Sequence, residues 1–112
     1  MTVTAKTLVP IKKVETTETN QYTVAGNVTT IIDKFTSTNF SSGAATITVH
    51  LVGQGDTAAG FNTVTKSKAL QAGEVYTFPE MVGQILSSGT FISTIADTAD
   101  AVNIRVSGRE IT

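Results

Sequence analysis

The chain has no cysteine and no tryptophan, only two prolines and two tyrosines, and few charges of either sign. Without cysteine there is no disulfide framework, no thiolate metal site and no cysteine nucleophile. With no thiol to be oxidised, the redox compartment is left open. Charged residues make up 15% of the chain and the net charge is -1. The clustered Lys and Arg of a phosphate-binding face are missing, so no nucleic-acid partner is expected. Apolar runs are only a few residues long, far below the roughly 20 needed to cross a bilayer, so no membrane partner is expected either. Met1 to Val9 holds one lysine among scattered threonines rather than a charged start followed by an apolar block. That pattern argues against a secretory signal, and the expectation is a soluble protein made in a cytoplasm.

What is present points to strands. At 112 residues the chain suits one domain, and such a chain buries roughly 65% of its unfolded surface without needing staples. Threonine fills about a fifth of it. Threonine is β-branched and restricted at χ1, which disfavours helix and fits a pleated surface. A Thr-rich, charge-poor chain with nine glycines suits a β-sandwich with neutral outer faces, a kind of surface often covered by neighbours.

The clearest strand is Ala45 to Leu51, where Ala, Ile, Val and Leu alternate with Thr46, Thr48 and His50. A turn at Ser41-Ser42-Gly43 joins it to a long Thr- and Ile-rich strand from Val28 to Asn39, and Gly26-Asn27 ties that hairpin to a short strand at Gln21 to Val24. Gly53 to Gly60 is small, flexible and poor in apolar bulk, and reads as an exposed loop. Thr63 to Leu70 reads as an edge strand guarded by Lys66 and Lys68, and Glu74 to Phe78 as a further strand. Beyond Pro79, the residues Met81, Val82, Ile85 and Leu86 lie at helix-like spacing and predict one short helix near 79–86, ended by Ser87-Ser88-Gly89. The last strands are Thr90 to Ala96 and Ala101 to Thr112, with Gly108 placed for a bulge or a close approach. Residues 1–20 form a first strand or an arm that crosses to a neighbouring subunit, and 21–112 the sandwich proper. The sum is an all-β domain, a β-sandwich or jelly roll of about seven or eight antiparallel strands.

Chemistry is hard to assemble from these residues. His50 is a lone histidine without a nucleophile elbow. Glu74 with Glu80 is the nearest carboxylate pair, but Glu74 follows a turn glycine and Glu80 falls in the first turn of the expected helix, where the dipole favours an anion. Asp97 and Asp100 bracket a turn and are too few for calcium. Gly53-Gln54-Gly55 lacks the lysine, third glycine and helix of a phosphate loop. Asn27-Val28-Thr29 and Asn39-Phe40-Ser41 fit the glycosylation pattern, which has no meaning without secretion. Arg105 and Arg109 share a parity on the last strand and are placed to pair with acidic groups across a strand or an interface. No catalytic set, cofactor or metal site is expected, and the chain reads as non-enzymatic.

Three segments carry a resemblance: Thr46 to Val52, Leu70 to Gly83, and the ending Ala101-Val102-Asn103-Ile104-Arg105-Val106-Ser107-Gly108-Arg109-Glu110-Ile111-Thr112. They resemble small Thr-rich virion structural proteins of tailed bacteriophages, of the capsid decoration or cement type. That resemblance implies a β-sandwich located in the virion and made in the host cytoplasm, one that cements the outside of the head or belongs to its connector and tail; the reading taken is a decoration protein that stabilises the head by bridging subunits of a major capsid protein. It implies self-association as a homodimer or homotrimer. The expected contacts are then Leu8, Val9 and Ile11 of the arm, Gln54 and Asp56 of the loop, and Arg105 and Arg109 of the last strand. The alternatives are a tail, baseplate or fibre-associated module, or a receptor- or carbohydrate-binding sandwich. The absence of Trp and the presence of only Tyr22 and Tyr76 count against a sugar platform.

Overall fold

The computed structural model describes all 112 residues, Met1 to Thr112. Nine strands follow in order: β1 (Val3–Lys13), β2 (Thr19–Thr23), β3 (Thr29–Thr38), β4 (Ala45–Val52), β5 (Thr63–Leu70), β6 (Val75–Tyr76), β7 (Ile85–Leu86), β8 (Phe91–Ala96) and β9 (Asn103–Ile111). A single 3-10 turn at Gly60–Asn62 precedes β5. All pairings are antiparallel and build two sheets. One runs β1-β9-β3-β6, with β7 also on β3, and the other runs β2-β8-β4-β5. The molecule is the all-β sandwich that its alternating pattern predicts, but the expected hairpin does not form, because β3 and β4 lie in different sheets.

Alternation explains which faces meet. Ile104 and Val106 of β9 are fully buried while Arg105 and Arg109 between and beyond them are exposed. Ile47 and Val49 of β4 are likewise buried and Thr46 and Thr48 half-buried. The inward residues form one apolar cluster with Ile32 and Phe35 of β3, Leu70 of β5 and Ile92 of β8. Burying each such side chain contributes roughly 1.5–3 kcal/mol. Phe78 is fully buried, its ring centroid 4.4 Å from Phe35 and 4.5 Å from Tyr76.

The helix expected near 79–86 is absent, and turns followed by a strand stand in its place. Met81 N–H donates to Phe78 O and Gln84 N–H to Met81 O, two successive reverse turns. Then β7 pairs Ile85 and Leu86 with Ile31 and Thr30. The reason is tertiary. The outward backbone of Ile32 needs partners, and it donates to Gln84 O and accepts from Gly83 N–H. Gly83 supplies this with φ +87°, a left-handed conformation no helix contains. The apolar spacing is served another way, with Met81 and Leu86 buried and Val82 and Ile85 exposed.

The two lysines of β5 do not face the same way. Ser67 between them has φ +46° and its N–H donates to the Thr48 hydroxyl. This bulge places Lys68 opposite the buried Ile47, with its ammonium 4.9 Å from the Tyr76 ring centre, while Lys66 is exposed. Bulge and lysine together protect that edge. On the opposite side of the sandwich, β1 pairs with β9 along its whole length, with register shifts after Thr7 and after Val9. The shift after Thr7 turns both Leu8 and Val9 into the core, at 6% and 1% exposure.

Candidate interaction surfaces

The loop between β4 and β5 is a braced structure rather than a slack one. Asn62 holds it from within: its Oδ1 accepts the Ala59 N–H at 3.0 Å and its Nδ2 donates to Thr57 O at 2.9 Å. The Thr63 hydroxyl donates to Ala59 O at 3.1 Å, and Asp56 N–H closes a turn onto Gly53 O at 3.0 Å. Gln54 packs so closely over Gly89 that a Cβ there would lie 2.7 Å from its side chain. The loop is thereby seated on the turn that joins β7 to β8. The braced segment presents Phe61, 79% exposed, on the 3-10 turn. Gln54 and Asp56, earlier in the same loop, are exposed as well. Phe61 escapes a reading that stops the loop at Gly60; the signal available is one large aromatic after a run of Ala, Ala and Gly.

His50 lies on the polar side of β4, but it is buried beneath this loop, at 7% exposure. Its Nδ1 is 3.0 Å from Asn62 Oδ1 and its Nε2 is 3.3 Å from Glu18 Oε1. Glu18 also accepts the Ser93 hydroxyl at 2.6 Å. The ring is thus a spacer between the β1–β2 connection, β8 and the Phe61 loop.

A second surface is the outer face of the sheet led by β1. Cross-strand register aligns Ala5, Arg109, Ile31 and Ile85 in one row, with Val3 opposite Ile111 in the next. Ile85 is 68% exposed and Val3 50%. Arg109 is fixed among them by Asp33, which accepts from Nε at 3.0 Å and from Nη2 at 2.9 Å. Asp33 is free to do this because it is the extra residue of a bulge, between Ile32 opposite Gly108 and Lys34 opposite Ser107. Arg105 is exposed and forms no salt bridge within the chain. Beside Asp33 lies an open depression of about 560 Å3, lined by Asp33, Lys34, Thr77, Pro79 and Val82.

Of the three residues expected at an arm contact, Leu8 and Val9 are core side chains and not available to a partner. Ile11 alone is presented, at 66% exposure. The bulge after Thr7 makes the difference, because strict alternation would have turned one of Leu8 and Val9 outward. The remaining polar residues serve bracing. Asn39 is fully buried and donates from its amide to Gly43 O and Leu70 O, so it is no glycan acceptor. Glu74 accepts the Gln71 N–H, Asp97 the Thr46 N–H, and Asp100 pairs with Lys13 at 2.8 Å.

Both tyrosines tie the two sheets together. Tyr22 OH donates to Glu110 Oε2 at 2.6 Å and meets the Thr30 hydroxyl at 2.7 Å. Tyr76 OH donates to Glu80 Oε1 at 2.6 Å, and the Thr65 hydroxyl donates to the other oxygen of Glu80. The Tyr22 hydrogen bond, above all, holds Glu110 below the usual carboxylate range. The carboxylate of Glu80 in turn pushes Tyr76 up to about 12. Rings and hydroxyls engaged in this way make no open stacking platform for a sugar.

No family model matches the chain, and no curated protein does. Among solved structures it is similar to a chain of the infectious bursal disease virus Gx strain, at 14% identity and a TM-score of 0.47. That similarity covers 97% of this chain and 30% of the other, so this chain spans less than a third of the viral one. A likeness this slight carries nothing over to the surfaces described above. Their meaning rests on their own geometry.

Proposed function

We propose that this chain is a non-enzymatic structural protein of a virus particle, one that decorates a bacteriophage head and bridges subunits of the major capsid protein. The observation that carries this reading is Phe61. A large aromatic 79% exposed costs solubility, and the chain invests four hydrogen bonds in and around Asn62 to hold it there. An aromatic anchor on a loop with few internal degrees of freedom loses little entropy on docking, which is the property of an interface hot spot. The chain as a whole is threonine-rich and nearly neutral, as suits a protein that works while covered by neighbours.

The test is cosedimentation of the purified chain with mature heads and, separately, with tails of its phage. Saturable binding to heads is the expected result, reduced by Phe61→Ala. Binding to tails alone moves the protein to the tail and overturns the decoration reading. Binding to neither overturns the virion assignment altogether.

A further inference from the structure

The geometry points to a second copy of this chain as the partner of the β1 edge, paired antiparallel about a two-fold axis at Ala5. The backbone register sets this up. Thr2 and Thr112 exchange both hydrogen bonds, each N–H donating to the other's carbonyl at 2.9 Å. In an antiparallel pair such positions alternate, so Thr4 with Glu110 and Lys6 with Gly108 are the next bonded pairs. The N–H and C=O groups of Val3, Ala5 and Thr7 therefore point away from β9, and β1 is the last strand of its sheet. The same alternation is seen on the far side of β9, where Ile32 turns its backbone outward to Gly83 and Gln84.

The other edges are covered, interrupted or short. The edge of β3 is covered by β6, β7 and the Gly83–Gln84 backbone. The edge of β5 is bulged at Ser67 and carries Lys66. On β2 there are five residues with a register shift after Asn20. β1 has its own protection, a bulge and Pro10, but only from Leu8 onward. Val3 to Thr7 is left as a regular and open stretch, the standard template for strand addition.

Self-pairing centred on Ala5 uses that stretch fully. Centring on Ala5 sets Ala5 against its own copy and Val3 against Thr7 of the second copy, so all three outward residues are used on each side. Thr4 then lies opposite Lys6 of the second copy, with no like charges directly opposed. Each Lys6 is already neutralised by Glu110 at 3.2 Å. Centring on Thr7 would draw the bulge and Pro10 into the pairing and lose bonds. The two sheets become one, and the row Ile85–Ile31–Arg109–Ala5 continues through the axis into its symmetry mate. The result is one broad outer face that carries every member of the apolar row twice. The inference does not depend on the virion reading.

Sedimentation equilibrium on the full chain is the first test, with a concentration-dependent dimer expected. Ala5→Pro removes an N–H that has no partner within the chain, so it should yield a monomer that is still folded, with a cooperative thermal transition that no longer depends on concentration. Register is read in the cysteine-free background by oxidising Thr4→Cys and Lys6→Cys chains. The mixture should crosslink several-fold more than either variant alone. A parent chain that stays monomeric at every concentration overturns the inference, even with head binding intact. A dimer that Ala5→Pro leaves unchanged, or equal crosslinking by Thr4→Cys alone, overturns it as well. Dimer formation with no binding to heads would leave this inference standing and remove only the proposed function.

Discussion

A Cβ built on Gly108 would lie 2.1 Å from the carbonyl oxygen of Ile31 and 3.0 Å from Leu8 Cδ1. The glycine is where β9 lets the bulge of β3 and the inward turn of β1 approach from either side. Gly108→Ala is expected to cost at least about 1–3 kcal/mol, since the nearest atom is backbone and the strand itself must shift. Gly26→Ala, where nothing lies within 4 Å, should stay within about 0.5 kcal/mol of the parent. Urea denaturation of the two variants checks this, and a Gly108→Ala midpoint equal to that of Gly26→Ala would contradict it.

The two tyrosine–carboxylate ties give stability a pH window. Hydrogen bonds from Tyr22, above all, hold Glu110 below its ordinary 4.5. Burial raises Glu80, but the hydroxyls of Thr65 and Tyr76 outweigh it and leave that group lowered as well. Folded carboxylates with depressed pKa values add stability that is present above the ordinary value and is lost as pH falls through the folded one. Tyr22 is pushed up to about 12, first by burial and then by Glu110, and Tyr76 to about 12, first by its hydrogen bond to Glu80. Their contribution is complete below pH 10 and is lost as pH rises toward about 12. Denaturation midpoints should therefore fall below pH 4.5 and again above pH 10. Tyr76→Phe should flatten the alkaline limb; an unchanged limb would show that Tyr76 is not responsible for it.

Phe61 and Asn62 should separate binding from folding. Phe61→Ala removes an exposed ring and is expected to change stability by less than about 0.5 kcal/mol. Its expected cost to head binding is about 2 kcal/mol, roughly 30-fold in affinity. Asn62→Ala leaves Phe61 in place but releases the loop, at about 1 kcal/mol of stability for the lost hydrogen bonds. Hydrogen exchange at Ala59 and its neighbours should accelerate in that variant alone.

Removal of residues 1–13 is expected to unfold the chain. The deletion takes Leu8 and Val9 out of the core and exposes the long flank of β9. Large-to-small losses at core sites run at about 2–5 kcal/mol each, against a total stability of about 5–15 kcal/mol for a domain. Circular dichroism of the truncated chain decides the matter. A cooperative transition at the parent's midpoint would mean that β1 is dispensable.

Where a run of alternating or β-branched residues is bounded by turn signals, the sequence already contains the strand. Ala45 to Leu51 reads as a strand and is β4, extended by one residue to Val52, and Thr63 to Leu70 is β5 residue for residue. Threonine content and period-two alternation sufficed for the all-β sandwich, because strand propensity and face burial are local properties of a chain. The loop carrying Gln54 and Asp56 was legible for the same reason. Tertiary structure decided whatever depended on a distant partner. Met81, Val82, Ile85 and Leu86 have the spacing of a helix, but the unpaired backbone of Ile32 draws that segment into β7. Leu8 and Val9 share a face only through a bulge against β9, about a hundred residues away in sequence. His50 is buried because Glu18 and Asn62 converge on it from two other elements, and Phe61 is exposed because that same convergence stiffens its loop. Periodicity records which face a residue prefers; which backbone groups lack a partner, and which segment arrives to supply one, is determined only when the whole chain has closed on itself.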